Sequence, residues 1–362
     1  REREVVNQVA NMTARPDTVL EAEGLVKTYH ARGKSAVRAV DGVGFTLRRG
    51  EVLGVIGESG CGKSTLGRML VRLEEPDAGE IRYNGKTYRE AYARDPLAFR
   101  RLVQIVFQNP FDTFDPRYSI EQILTGVLKL HRIGRNHDER LALVAERLEQ
   151  AGLAPADQYL PRYPHELSGG QLQRISILRA MLLSPQFLVA DEPTSMLDAS
   201  IQADIMNMLA EQCRERNTAM VFISHDIAAV RYLADKIAVM YLGRIVEYGE
   251  ADEVLHHPRH PYTRALIAGS LKLGRQADAK PLRLEGEPVS ADAPVGCAFY
   301  PRCFRRRDDC RERRPEPVDL GGRRVSCFYP LEDEASAPPG TAPKAAATRK
   351  SPPETAEDAR HD

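Results

Sequence analysis

The chain has 362 residues, with 51 Lys and Arg against 51 Asp and Glu, a formal net charge of zero. That balance argues against a general nucleic-acid binder, which carries a basic excess. Apolar residues at 42% and charged residues at 28% fit a globular protein large enough for a proper core, with length for about two domains. No run of ~18 uncharged apolar residues suggests a membrane span, and the charged start, Arg1 to Glu4, has no apolar stretch behind it to suggest a secretory signal.

Residues 1–17 are polar and expected to be flexible. From 18 to about 250, apolar runs alternate with helical periods. Glu51 to Gly57, Leu102 to Phe107, Phe187 to Ala190, Ala219 to Ile223 and Ile237 to Tyr241 read as strands covered on both faces. Leu141, Val144, Ala145 and Leu148 share one helical face, as do Ile201, Ile205 and Leu209. Such alternation predicts an α/β fold with a mostly parallel sheet. From Ser119 to about Pro164 there are helical periods and no convincing strand, so a helical insertion is expected. Beyond 251 prolines crowd in (Pro258, Pro261, Pro281, Pro288, Pro294, Pro301), which predicts a small irregular domain in need of a staple. Residues 332–362 hold no Leu, Ile, Val, Phe or Tyr and are expected to be disordered.

Gly57-Glu58-Ser59-Gly60-Cys61-Gly62-Lys63-Ser64 fits the phosphate-loop pattern G-x-x-x-x-G-K-[ST]. It follows a predicted strand and precedes a helical pattern at Leu66, Met69, Leu70 and Leu73. Backbone N–H groups curled at a helix start can cradle oxyanions. Lys63 is expected at the β- and γ-phosphates, the Ser64 hydroxyl on Mg²⁺, and Cys61 as a small filler. Phe187 to Ala190 runs into Asp191 and Glu192; at a strand's C-terminal end these are placed for Mg²⁺ and for activating a water, respectively. His225 ends another apolar strand and is a candidate γ-phosphate contact.

With Leu167-Ser168-Gly169-Gly170-Gln171 added, the sequence resembles the nucleotide-binding subunits of ABC transporters over residues ~18 to ~250. The motif order matches: Walker A at 57–64, Gln108, the signature, Walker B at 187–192, a D-loop at Ser195-Met196-Leu197-Asp198, and His225. The resemblance implies an ATPase with an N-terminal antiparallel β subdomain and a helical subdomain at about 119–180. Tyr29 is implied to stack on adenine, and residues 57–64 with Thr65 to hold ATP. Ser64, Gln108 and Asp191 are implied to serve Mg²⁺. Glu192, His225 and Gln108 are the implied catalytic group. Ser168 to Gln171 would close on ATP bound by a second ATPase subunit, expected to be a paralogue. Two transmembrane permease subunits and an extracytoplasmic binding protein complete the implied assembly, on the cytoplasmic face of the membrane. Met196 departs from the family's usual alanine.

His260-Pro261-Tyr262-Thr263-Arg264-Ala265-Leu266 and the segment around Cys297 and Cys303 resemble the extension of the oligopeptide, dipeptide and nickel importer ATPases, giving a C-terminal domain at 251–331. Spacing alone leaves Cys297, Cys303, Cys310 and Cys327 open, since C-x5-C-x6-C-x16-C matches neither zinc fingers nor ferredoxins. The resemblance implies a 4Fe–4S cluster there, with zinc or free thiols as alternatives. The neighbouring arginines, Arg302, Arg305, Arg306, Arg307, Arg311, Arg313 and Arg314, would offset thiolate charge or form a solvated basic face. Cargo is expected to be peptide, with oligosaccharide or nickel as alternatives. A soluble ABC ATPase of DNA repair fits poorly: Lys63 and Ser168 lie about 105 positions apart without sustained heptads.

Overall fold

The computed structural model describes residues 17–30, 36–270 and 295–332. Of the start expected to be flexible (1–17) and the tail expected to be disordered (332–362), residues 1–16 and 333–362 lie outside the described residues, as do Pro281, Pro288 and Pro294.

Among the described residues, twelve strands form two sheets. β1 (Thr18–Tyr29), β2 (Val37–Arg48), β4 (Ala78–Tyr83) and β5 (Lys86–Thr87) make an antiparallel sheet of order β2-β1-β4-β5. The larger sheet joins β3 (Val52–Ile56), β6 (Val103–Val106), β7 (Phe187–Asp191), β8 (Ala219–Ile223), β9 (Lys236–Tyr241), β10 (Arg244–Glu250), β11 (Val318–Asp319) and β12 (Arg324–Val325). Its order is β11-β12-β10-β9-β3-β8-β7-β6. The five apolar runs picked out by sequence are β3, β6, β7, β8 and β9, and these pair parallel. Every residue of β7 and β8 is buried, which is why they read as continuous apolar runs without alternation.

Eleven helices are described: α1 (Lys63–Leu70), α2 (Tyr88–Ala91), α3 (Pro96–Leu102), α4 (Ile120–Leu130), α5 (His137–Gln150), α6 (Gly169–Met181), α7 (Ala199–Arg216), α8 (Ile227–Leu233), α9 (Ala251–His256), α10 (Pro261–Ser270) and α11 (Asp309–Glu312). One core lies between the two sheets, where Leu20, Leu25, Phe45 and Leu47 meet Leu66, Met69 and Val189. A second covers the far face of the large sheet, with Phe222, Val239, Ile205 and Leu209. Helices α4, α5 and α6 share a third, built on Ile120, Leu124, Leu128, Val144, Leu148 and Ile175. This is the helical insertion expected from Ser119 onward. Ser119 caps α4, its hydroxyl accepting from the Gln122 N–H; Asn136 caps α5 in the same way through the Glu139 N–H.

Two local expectations fail. Leu73 does not extend the helix after the phosphate loop: α1 stops at Leu70, Arg72 takes φ 54°, and Leu73 is 48% exposed. The region beyond 251 is also more regular than its prolines suggest. Pro261 stands at the first position of the ten-residue α10, where its missing N–H costs nothing. The carboxylate of Glu247, itself fully buried on β10, accepts from the N–H groups of Arg259 and His260 just before that helix and from Arg323. Farther on, β12 pairs with β10 and β11 with β12, so the C-terminal region extends the main sheet.

Among the described residues, no helix is long and apolar enough to cross a membrane.

Candidate active site

β3 delivers the chain into residues 57–62, and α1 starts at Lys63. Gly62 holds φ 103°, and a Cβ there would lie 1.9 Å from the Ala39 carbonyl oxygen. Only glycine fits this turn. Lys63 is 5% exposed, and its Nζ donates to the carbonyls of Gly57 and Glu58, each at 2.9 Å. Its charge is thereby held at the head of the loop. Cys61 is buried, and burial pushes its thiol up, as suits a filler.

An open cleft is lined by Ala39, Ser59, Gly60, Gly62, Lys63, Ser64, Thr65, Gln108 and Glu192. The loop and two distant acidic and amide side chains thus meet in one place. Ser64 Oγ donates to Asp191 Oδ1 at 3.1 Å. Burial raises the Asp191 carboxyl and the neighbouring Glu192 charge adds to this, while the Ser64 bond opposes them. Gln108 Nε2 donates to Glu192 Oε2 at 3.2 Å, and His225 Nδ1 lies 3.2 Å from the same oxygen. Glu192 has φ 45°, a left-handed conformation uncommon outside glycine. Its N–H donates to the Ile223 carbonyl at 2.9 Å, and its own carbonyl accepts from Ser195 Oγ at 3.1 Å, so both neighbours fix the turn.

Mg²⁺ takes hard oxygen ligands, usually one or two protein groups with phosphate oxygens and water. The Ser64–Asp191 pair is such a set, and with Gln108 at the same cleft the residues fit the ion.

Ser168 starts the signature helix α6. Its hydroxyl accepts from the Gln171 N–H at 3.3 Å, while its own N–H donates to Gln171 Oε1 at 3.0 Å, a reciprocal cap. A Cβ on Gly170 would meet the Ile201 side chain at 2.8 Å, so glycine lets α7 close on α6. Ser168, Gly169, Gly170 and Gln171 are not among the residues lining the cleft. Tyr29 ends β1 at 41% exposure with its hydroxyl on the Glu74 carboxylate, and it does not line the cleft either. Met196 of the D-loop is 62% exposed, and Asp198 caps α7 through the Ile201 N–H.

The cysteines require a correction. Cys297, Cys303, Cys310 and Cys327 line one pocket with His260 and Phe299, and all are free thiols. Among the described residues no three His, Cys, Asp or Glu side chains are grouped to hold a metal ion. Neither the 4Fe–4S cluster nor its zinc alternative is supported. The four thiols sit in an apolar setting beside Pro261, Phe299 and Phe328, and burial raises those of Cys297, Cys303 and Cys327. The arginines expected to offset thiolate charge are partly engaged elsewhere. Arg302 pairs with Glu58, Arg314 with Asp41, and Arg307 lies over the Tyr329 ring.

Sequence reasoning passed over Ala39 on β2, which walls the cleft, and the contacts of Tyr262 and Arg302 with Glu58. The motif around Tyr262 was visible, but nothing local pairs it with a loop some 200 positions away.

Comparison with known proteins gives two family matches: "ABC transporter" over residues 40–195 and "Oligopeptide/dipeptide transporter, C-terminal region" over 246–310. The di/tripeptide transport ATP-binding protein DppF of Pseudomonas aeruginosa is 43% identical over 319 residues, 86% of this chain and 98% of that protein. The dipeptide transport ATP-binding protein DppF of Escherichia coli is 42% identical over 325 residues, 87% of this chain and 96% of that one. Among solved structures, the dimeric post-hydrolysis ATP-binding cassette MJ0796 bound to ADP and Pi aligns with a TM-score of 0.58 at 26% identity, covering 64% of this chain and 98% of that chain.

Proposed function

This chain belongs to the ATP-binding subunits of ABC transporters, in the branch with the oligopeptide/dipeptide C-terminal region, and we propose that its ATP hydrolysis drives uptake of short peptides. ATP binding and hydrolysis follow from the family and its cassette fold. The observation that carries the residue roles is the convergence of Gln108 and His225 on one oxygen of Glu192, beside the phosphate loop.

In this reading the loop N–H groups and Lys63 bind the β- and γ-phosphates, and Tyr29 stacks on the adenine. Ser64 and Asp191, with Gln108, would hold Mg²⁺, which when bound offsets charge on those phosphates. Gln108 and His225 steady the Glu192 carboxylate. Glu192 takes a proton from water as the water oxygen bonds to the γ-phosphorus. The bond from that phosphorus to the bridging oxygen breaks, and ADP and phosphate leave. His225 donates to the departing γ-phosphoryl oxygens.

Ser168 to Gln171 lie apart from the cleft of their own chain. The cassette that resembles this one is a dimer with ADP and Pi, which supports a head-to-tail pair, of like or paralogous chains, with each signature completing the other's site. Phe111 and Tyr118, 47% and 50% exposed just after Gln108, offer apolar surface for a membrane subunit. Two permease subunits and an extracytoplasmic binding protein complete the importer, with this chain peripheral on the cytoplasmic face.

The test is uptake into proteoliposomes holding the complete complex. ATP-dependent accumulation of a labelled dipeptide or tripeptide, abolished by Glu192→Gln, is expected. Uptake of nickel or an oligosaccharide, and not of peptide, would overturn the cargo.

A further inference from the structure

Glu58, the second residue of the phosphate loop, is held by the distant C-terminal region. Arg302 grips its carboxylate with both terminal nitrogens, Nη1 to Oε2 at 2.7 Å and Nη2 to Oε1 at 2.8 Å. This fork-on-fork geometry fixes orientation as well as charge. The backbone N–H of Glu58 donates to the Tyr262 hydroxyl at 3.0 Å. The Glu58 carbonyl accepts from Lys63 Nζ at 2.9 Å. Every polar group of Glu58 is therefore committed, two of the three to residues of the C-terminal region.

The clasp is packed into the core on its far side. Tyr262 is fully buried. Its ring meets those of Tyr241 and Phe299 at centroid distances of 4.6 and 5.4 Å, and Tyr241 meets Phe299 at 5.3 Å. Arg302 Nη1 also reaches the Tyr241 hydroxyl at 3.4 Å. The side chains of Arg302 and Glu58 are 7% and 22% exposed. A pair so far from water is weak evidence for stability, because desolvation offsets much of its attraction. Its geometric effect is clearer: it sets where the loop turns.

A phosphate loop binds through N–H groups that must already face the ligand, and a loop ordered in advance loses less freedom on binding. We propose that Arg302 and Tyr262 are positioning residues of the ATP site. Through Glu58 they hold the phosphate loop in its binding shape, so the C-terminal region sets the ATP affinity of its own cassette. This rests on residues 57–64 being the phosphate cradle.

The assembled transporter carrying single substitutions tests this by steady-state ATPase kinetics and by binding of a fluorescent ATP analogue. Arg302→Met is expected to raise KM and the analogue's Kd roughly tenfold with kcat within about twofold, since a loop that must be ordered on binding gives up affinity. Tyr262→Phe, which removes one oxygen, should shift both the same way by a few fold, and Arg302→Lys should restore part of the loss. Arg302→Met combined with Glu58→Gln should be no worse than Arg302→Met alone. Arg311→Met, an exposed position in the same segment, should match the wild type. If Arg302→Met does not assemble, Tyr262→Phe and Glu58→Gln decide the matter.

Unchanged KM in these variants, or a fall in kcat at constant KM, would overturn the proposal; the second pattern marks fewer folded sites. Lys63→Ala separates the two readings. Lost binding there, with wild-type behaviour in Arg302→Met and Tyr262→Phe, defeats only the positioning role. Retained binding in Lys63→Ala defeats the cradle itself.

Discussion

His225 Nδ1 lies 3.2 Å from Glu192 Oε2, although the two residues follow different strands, β8 and β7. Gln108 Nε2 approaches the same oxygen from just beyond β6. One carboxylate oxygen is thus held from two sides, and in the proposed mechanism the other takes the water proton. Three neighbouring parallel strands set this arrangement, because their C-terminal ends face one side of the sheet.

Replacing His225 by Ala should lower kcat by roughly 10²-fold, the scale for losing one donor at a developing charge. ATP affinity should stay near the wild-type value, because the phosphate loop is untouched. Parallel measurements of turnover and nucleotide Kd in the assembled complex check this. A change confined to Kd would remove His225 from the chemical step.

Lys63→Ala acts at the other end of the cleft. Lys63 supplies a buried positive charge tied to the loop carbonyls. Its removal should weaken ATP binding by at least tenfold, as expected for a charge-assisted contact to phosphate. Equilibrium dialysis with labelled ATP reads this directly, and wild-type affinity would contradict the assignment.

Asp41 joins three parts of the chain. It accepts from Arg38 at 3.0 Å, from Arg244 at 2.7 Å and from Arg314 at 3.2 Å. Burial alone would raise its carboxyl, but the bonds from Arg244 and Arg38 outweigh this and hold it below the usual range. A carboxyl depressed in the folded state stabilises fully above its unfolded value, about pH 4, and loses that contribution as pH falls through the folded value. Asp41→Asn should therefore cost about 1–3 kcal/mol at pH 7. The gap in melting temperature from the wild type should close as pH drops below 4. A gap that stays equal from pH 7 down through the acid range to pH 2 would show that the charge is not the cause.

Much of this architecture is legible in the sequence because its signals are local. β3, β6, β7, β8 and β9 are apolar runs, and the phosphate loop announces itself by its glycines and by Lys63 and Ser64. Gln108, Glu192 and His225 each lie within two residues of a strand's C-terminal end, so a parallel sheet carries them to one edge. What escaped notice depends on distant partners. Nothing near Arg302 indicates that it binds Glu58, 244 positions away. Nothing near Val325 shows that it pairs with Glu247. The helix at 261–270 was hidden because proline reads as a breaker, whereas Pro261 sits where a helix tolerates it. The cysteines show the opposite error: four clustered thiols suggest a metal site by their spacing in sequence, but no metal-holding group forms among the described residues.

Glu192→Gln, measured for ATP turnover and ATP binding in the same assembled complex, tests the central claim most directly. The amide keeps the shape of the side chain and removes the base. The account predicts turnover reduced by roughly 10²-fold or more, ATP still bound, and the cassette dimer trapped closed on its nucleotide. Turnover near the wild-type rate would contradict it.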